Sequence, residues 1–285
     1  MPGRRSAGPI TRRQALAAGL AAGASLLAGR SSLAAAEPVW VDQRQLGPFI
    51  CRSAFRLDDR LLAEADLSRL EQELRRVLAL GPCQTQVEVL LLGDAQQHRA
   101  LIAERHPDAP YRRALYYQTQ RRAVIYAYRH RELAIDLRHE CTHALLHGDL
   151  AMVPLWLDEG LAEYFEPSTN ERARGPGHLD AVVADAARGR LLTLASLESK
   201  HDLAQMTEVD YRYAWAWTHL LLHGPPIAAM QLWATLASLR RLEPPAAVSE
   251  RLAATLGSPE QAFLQHFRAW PGVLNASRRG ASNRR

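Results

Sequence analysis

The chain has 285 residues, a length that allows one large domain or two small ones, and its 47% hydrophobic content is ordinary for a globular protein. Its net charge of +5 comes from the N-terminus, because residues 1–36 contain five arginines and no acidic residue. Without those five, 30 of the 35 basic residues remain against 30 acidic ones, and this neutral balance argues against binding to nucleic acid.

Residues 1–36 have the order of an export signal. Arg12 and Arg13 precede the uncharged stretch 14–29, and the small-residue run 34–36 offers a cleavage site. The paired arginines indicate the twin-arginine export route. Because the uncharged stretch is shorter than the roughly 20 apolar residues that span a bilayer, we expect cleavage and no stable membrane anchor. The mature protein is therefore predicted to be periplasmic or secreted.

The remainder of the chain predicts a small mixed sheet followed by a mainly helical half, which is an α+β arrangement. The β-rich stretches are an extended entry at 39–55 that is interrupted by Gly47-Pro48, a strand at 86–92, and a hairpin formed by 114–117 and 123–128. Helical spacing of apolar residues covers 60–80, 95–105, 132–147, 155–166, 178–188, 210–223, 226–240, 246–256 and 259–269. We expect one domain over 37–274 and a disordered basic tail over 275–285.

Three cysteines remain after the signal, and an odd number excludes complete intramolecular pairing. Cys51 and Cys83 are able to form a disulfide in an oxidising compartment, although the sequence does not establish the bond. Cys141 is expected to be a small buried residue.

The sequence His139-Glu140-Cys141-Thr142-His143 lies within one predicted helix. Positions four apart share a helix face, so His139 and His143 can reach one tetrahedral ion. Glu140 lies beside His139, where a carboxylate can take a proton from a metal-bound water. This pattern predicts a zinc site with Glu140 as general base.

A catalytic zinc site needs a third protein ligand, and the candidates after the motif are Asp149, Glu159, Glu163 and Glu166. Asp149 lies six residues after His143, the position used by metzincin-like enzymes. Those enzymes have glycine three residues after the second histidine, where this chain has Leu146. Glu159 is the other main candidate, and it lies in Trp-Leu-Asp-Glu-Gly-Leu-Ala-Glu-Tyr-Phe, residues 156–165. This segment resembles the second motif of gluzincin peptidases, especially zinc aminopeptidases and bacterial peptidase MA-like domains.

The resemblance implies a zincin-like fold and a zinc-dependent peptidase whose ligands are His139, His143 and Glu159. It also implies that Glu163 orients a metal-bound histidine and that the hairpin supplies an edge strand for a peptide substrate. A tyrosine near the start of the helix predicted at 210–223 stabilises the oxyanion in zinc aminopeptidases. Tyr211 is our choice for this role, and Tyr213 is its rival.

The sequence has no segment like the Gly-x-Met-Glu-Asn motif with which aminopeptidases hold a free amino terminus, so the substrate class stays open. The alternative function is a non-catalytic exported envelope protein that uses a gluzincin scaffold for binding. Retention of Glu140 disfavours it, because a structural metal site needs no base. We expect His147, His219 and His223 to be helix residues without metal roles.

Overall fold

The computed structural model describes residues 38–83, 86–119, 122–175 and 177–270. The predicted export signal and the predicted basic tail lie outside these residues. The described strands are β1 (Asp42–Leu46), β2 (Phe49–Ser53), β3 (Val87–Leu92), β4 (Ala114–Gln118) and β5 (Ala123–Tyr128).

These strands form one five-stranded mixed sheet in the order β1-β2-β3-β5-β4. Strand β3 is central and pairs in parallel with β2 and β5, whereas β1 and β4 are antiparallel edge strands. Val89 and Leu91 of β3 pack into one hydrophobic core, and Leu90 and Leu92 pack into a second core on the opposite face. The strand is hydrophobic at consecutive positions because both of its faces are covered.

Most of the chain after the sheet is helical, and the α+β prediction is confirmed. The helices are α1 (Asp59–Ala65), α2 (Leu67–Leu78), α3 (Ala95–Arg105), α4 (Leu133–Asp149), α5 (Leu155–Phe165), α6 (Leu179–Ala187), α7 (Leu194–Glu198), α8 (Glu208–His223), α9 (Pro226–Arg240), α10 (Val248–Leu256) and α11 (Pro259–Ala269). None of the helices in the described ranges is both long and apolar enough to cross a bilayer.

Three details differ from the sequence prediction. The helix predicted at 60–80 is divided into α1 and α2 because Asp66 adopts a left-handed backbone conformation, with φ of 37°. The extended entry folds back on itself at Gly47, whose φ of 62° suits a glycine in a tight turn. Helix α7 has only five residues, too few for apolar periodicity to reveal it.

The disulfide considered for Cys51 and Cys83 is not formed in the structure. Cys51 lies buried in the core, and this burial raises the pKa of its thiol to about 12. Cys141 is also buried, as the sequence predicted.

Helix α5 packs against α4 on one side and against α8 on the other. Gly160 allows the close approach to α8, because a Cβ atom there would lie 2.5 Å from the carbonyl oxygen of Ala214 and even closer to the hydroxyl of Thr218. The neighbouring residue on α5 is Glu159, so this contact fixes the backbone that carries a candidate metal ligand.

Candidate metal centre and cleft

The structure brings His139 and His143 of α4 together with Glu159 of α5. The Oε2 atom of Glu159 lies 3.6 Å from Nε2 of His139 and 3.8 Å from Nε2 of His143. The three ligand atoms all lie within 4.8 Å of one another. Two ligands bound at about 2.1 Å to a tetrahedral ion are about 3.4 Å apart, so these separations are close to those of a zinc site.

Two carboxylates hold the histidine rings in position through their other nitrogens. Nδ1 of His139 lies 3.0 Å from Oε2 of Glu166, and Nδ1 of His143 lies 2.9 Å from Oδ1 of Asp158. Because each ionised carboxylate only accepts, each Nδ1 carries a hydrogen, and each Nε2 beside Glu159 is the nitrogen left to bind either a proton or a metal ion. Asp158 also accepts from Nε2 of His147, at 2.9 Å.

The residues at this site fit a metal ion. Glu159 is only 3% exposed, and its Oε2 atom has no hydrogen-bond partner among the described residues. Leaving a charged oxygen buried without a partner is costly, and a bound cation removes that cost. Two imidazoles and one carboxylate are the ligands that catalytic zinc uses in several peptidases.

The local electrostatics favour positive charge between the two imidazoles. Burial lowers the pKa of His143, but the carboxylates of Asp158 and Glu159 outweigh it and raise that pKa to about 9. Burial opposes protonation of His139 in the same way, yet Glu159 and Glu166 raise its pKa well above the usual value. The charge that satisfies these carboxylates can be a proton or a metal cation.

Glu140, the predicted general base, borders the same cleft as His139. Its Oε2 atom accepts a hydrogen bond of 2.7 Å from the backbone N–H of Tyr116 in β4. Strand β4 pairs only with β5 within the described sheet, so this N–H lies on the unpaired edge of β4. The base is therefore fixed beside an open strand edge.

Tyr211 lines the cleft from the first turns of α8, while Tyr213 does not. The ring of Tyr213 is buried in the core, and its hydroxyl donates to Asp185 at 3.2 Å. The hydroxyl of Tyr211 instead accepts a hydrogen bond of 3.2 Å from Nη2 of Arg112. Both Arg112 and Tyr211 border a cavity of about 530 Å³ that also contacts His139 and Glu140.

Two further acids from the sequence prediction have partners other than the three candidate ligands. Asp149, the alternative third ligand, accepts from the backbone N–H of Gly81 and pairs with Arg240 at 3.0 Å. Glu163 lines the same cavity as His139 and has an oxygen within 4.8 Å of a ring nitrogen of that histidine, but its hydrogen-bond partner is His178, at 2.8 Å.

The contacts to Nδ1 come from Glu166, which the sequence analysis considered only as a third ligand, and from Asp158, which it missed. Glu166 lies seven residues after Glu159, two helical turns along the same face, so its position carried a usable signal. Asp158 is adjacent to Glu159, at a position of the motif to which the resemblance gave no role. Arg112 had no signal, because it lies in a short segment without periodicity or motif.

No family model and no curated protein sequence matches the chain. Among solved structures, the M1 zinc metallopeptidase from Deinococcus radiodurans is similar to it with 18% identity and a TM-score of 0.41, and a mutant of that enzyme with 17% and 0.43. These matches cover 80% of this chain but only 50% and 51% of the other chains, so this chain spans about half of their length. Similarity at this level assigns no function.

Proposed function

We propose that this protein is a zinc-dependent peptidase with a zincin-like fold, in which His139, His143 and Glu159 hold the ion. The observation that carries the proposal is the convergence of two Nε2 atoms on a buried glutamate oxygen that has no other partner. The carboxylates on both Nδ1 atoms support it, because they leave the opposite nitrogens ready to bind a metal.

When bound, zinc would supply Lewis-acid polarisation of a water molecule and of the scissile carbonyl. Glu140 takes a proton from the attacking water and returns it to the leaving amine. The N–H of Tyr116 holds one oxygen of Glu140 in place, which fixes the direction of the base. Tyr211 donates a hydrogen bond to the carbonyl oxygen as negative charge develops there. Burial and the nearby Glu159 raise the pKa of Tyr211, which keeps its phenol protonated for this role.

The strand edge next to the base supports a peptide or protein as the substrate class. An extended peptide can pair with the unpaired edge of β4 through main-chain hydrogen bonds. This pairing would bring the peptide backbone past Glu140, because Tyr116 on that edge already contacts its carboxylate.

A peptide mixture incubated with the purified protein, with and without a chelator, tests the proposal. Cleavage should depend on the metal, and Glu140→Gln should reduce kcat/KM by about 10²–10⁴-fold because general-base catalysis contributes that much. The variant should retain its zinc, measured by elemental analysis, because Glu140 is not a ligand. Cleavage that persists in the chelator would contradict the metal mechanism, and a fully active Glu140→Gln variant would contradict the role of the base.

We also propose that the protein acts outside the cytoplasm after export by the twin-arginine route. The support is the order of charges and small residues in 1–36. The intact mass of protein recovered from the periplasm or medium should correspond to a chain that begins at Glu37. Recovery of the uncleaved chain from the cytoplasm alone would contradict this assignment.

A further inference from the structure

We propose that Arg112 binds a carboxylate group of the substrate close to the scissile bond. The inference rests on the proposed peptidase function and adds a substrate preference to it. The shared chemistry is a carboxylate, whose source is the C-terminal end of a peptide or the side chain of an aspartate or glutamate residue.

Arg112 lies in the segment that leads into β4, and its neighbour Arg113 attaches that segment to α4. Arg113 forms ion pairs with Glu132, which precedes α4, and with Asp136 in its first turn. Arg112 instead borders the cleft and reaches across it to the hydroxyl of Tyr211 on α8. Arg112 is thus half-buried in the wall of the cavity that His139 and Glu140 also line.

The acidic side chains that line this cavity have positively polarised partners, whereas Arg112 has no anionic partner among the described residues. Four carboxylates border it, and each has a positively polarised partner within hydrogen-bond distance. The pairs are Asp136 with Arg113, Glu140 with the N–H of Tyr116, Glu163 with His178, and Glu166 with His139. Arg112 forms no ion pair with any described residue, and the neutral phenol of Tyr211 is its hydrogen-bond partner.

A guanidinium group presents several donors in a plane, and one hydrogen bond to a phenol uses only part of them. Its unused donors suit the two oxygens of a carboxylate, which it can bind in a bidentate manner. The partly desolvated setting strengthens this interaction relative to one in open water. A substrate carboxylate that enters the cavity beside Glu140 and His139 would therefore give Arg112 the anionic partner that it lacks among the described residues.

Matched peptides test this preference. A peptide that the protein cleaves is prepared as the free acid and as the C-terminal amide. A second pair carries Glu or Gln next to the scissile bond. One of the two acidic peptides should have a kcat/KM about tenfold to hundredfold higher than its neutral partner, which is the range expected for a charged hydrogen bond. The pair that shows the difference identifies the source of the carboxylate.

Arg112→Met should abolish that acid preference while still cleaving the neutral peptide. Arg131→Gln is the matched control, because it removes one positive charge from an exposed residue just before α4 that does not line the cavity. It should keep the preference. If Arg112 only balances the charge of Glu159 and Glu140, Arg112→Met will change the rates of acidic and neutral peptides equally, and the proposal is wrong. Equal rates for both matched pairs in the parent protein would overturn it as well.

A binding measurement separates this proposal from the proposed activity. The probes are N-acetyl-Ala-Phe, N-acetyl-Ala-Glu amide and N-acetyl-Ala-Phe amide, titrated calorimetrically into the zinc-loaded mature protein and into its Arg112→Met variant. A carboxylate-bearing probe should bind at least about tenfold more tightly than the neutral amide, and only when Arg112 is present. This result without any peptide cleavage would leave the carboxylate site standing and remove the peptidase function. No carboxylate-dependent binding would overturn the proposal even if cleavage were observed.

Discussion

Helix α4 carries three histidines at intervals of four residues, His139, His143 and His147, and α8 carries two, His219 and His223. The pair of candidate ligands on α4, His139 and His143, and the pair on α8 have opposite surroundings. His139 and His143 on α4 face carboxylates on both sides. His219 and His223 on α8 lie within an aromatic cluster that includes Trp270. The sequence spacing is identical, so spacing alone does not distinguish a metal site from a buried packing cluster.

The hydrogen bonds show why the second pair has no need of a cation. Nε2 of His219 donates to the carbonyl oxygen of Ala173 at 2.9 Å, so its Nδ1 accepts from Nε2 of His266 at 2.8 Å. Nε2 of His223 lies 2.7 Å from the hydroxyl of Tyr164. None of these three histidines forms an ion pair with a carboxylate of the described residues, and each is satisfied as a neutral ring.

The two surroundings shift the histidine pKa values in opposite directions. Burial, reinforced by the neighbouring histidines, lowers the pKa of His219 to about 2 and that of His266 to about 4. The carboxylates raise the pKa of His143 to about 9 even though burial opposes this. The carboxylates around the first pair favour a cation there, whereas none of the carboxylates in the described ranges pairs with the histidines of the α8 cluster. The difference therefore depends on which acids surround the rings.

The largest expected effect is the loss of metal when a ligand of the first pair is removed. His143→Ala or Glu159→Ala should eliminate stoichiometric zinc, because two remaining ligands bind it poorly. His219→Gln and His223→Gln are the matched controls, since they alter a pair with the same spacing, and both should retain full zinc. Elemental analysis of the four purified variants measures the contrast. Zinc loss from the His219 variant with its fold intact would reverse our assignment of the two pairs.

A smaller effect is expected from the carboxylates that orient the rings. Asp158→Asn and Glu166→Gln should each weaken zinc binding about 10–100-fold, because they remove the acceptors that fix the Nδ1–H groups. Competition with a chromogenic chelator gives the affinities.

Glu163→Gln is the control within the same helix, and its affinity should stay near that of the parent because Glu163 contacts His178. If Glu163→Gln weakens binding more than Glu166→Gln does, the resemblance to gluzincins located the orienting acid correctly and the structure does not.

Helices α4 and α5 show which parts of this site the sequence predicted. The positions of His139, His143 and Glu159 on two helices followed from helical periodicity and from a motif resemblance, and the structure places their ligand atoms together. Both steps use local information, because residues three and four apart in a helix share a face whatever surrounds them. The hairpin before α4 was also local, since its strands are adjacent in sequence.

Local sequence patterns do not predict contacts between segments that are distant in the chain. The bond from Arg112 to Tyr211 joins residues 99 positions apart, and the bond from Tyr116 to Glu140 joins a strand edge to a helix. Choosing Glu166 over Glu163 required knowing how α5 is rotated against α4. The close contact at Gly160 sets the approach of α5 to α8, and a sequence pattern does not specify such a contact.

The smallest expected effect concerns the stability of the histidine cluster on α8, which includes His266 of α11 as the hydrogen-bond partner of His219. The pKa of His266 is about 4 in the folded protein and about 6.5 in the unfolded chain, so the unfolded chain binds more protons between these values. The contribution of this neutral ring to stability is therefore complete above pH 6.5 and is lost as the pH falls towards 4.

His266→Gln removes the titration but keeps a donor for His219. Between pH 7 and pH 5, the parent should lose about 1–2 kcal/mol more of its free energy of unfolding than the variant does, measured by urea denaturation. His201→Gln removes an exposed histidine and should behave like the parent. Equal losses in the parent and in His266→Gln would mean that the α8 cluster accepts protons in the folded state, and the opposition between the two pairs would then fail.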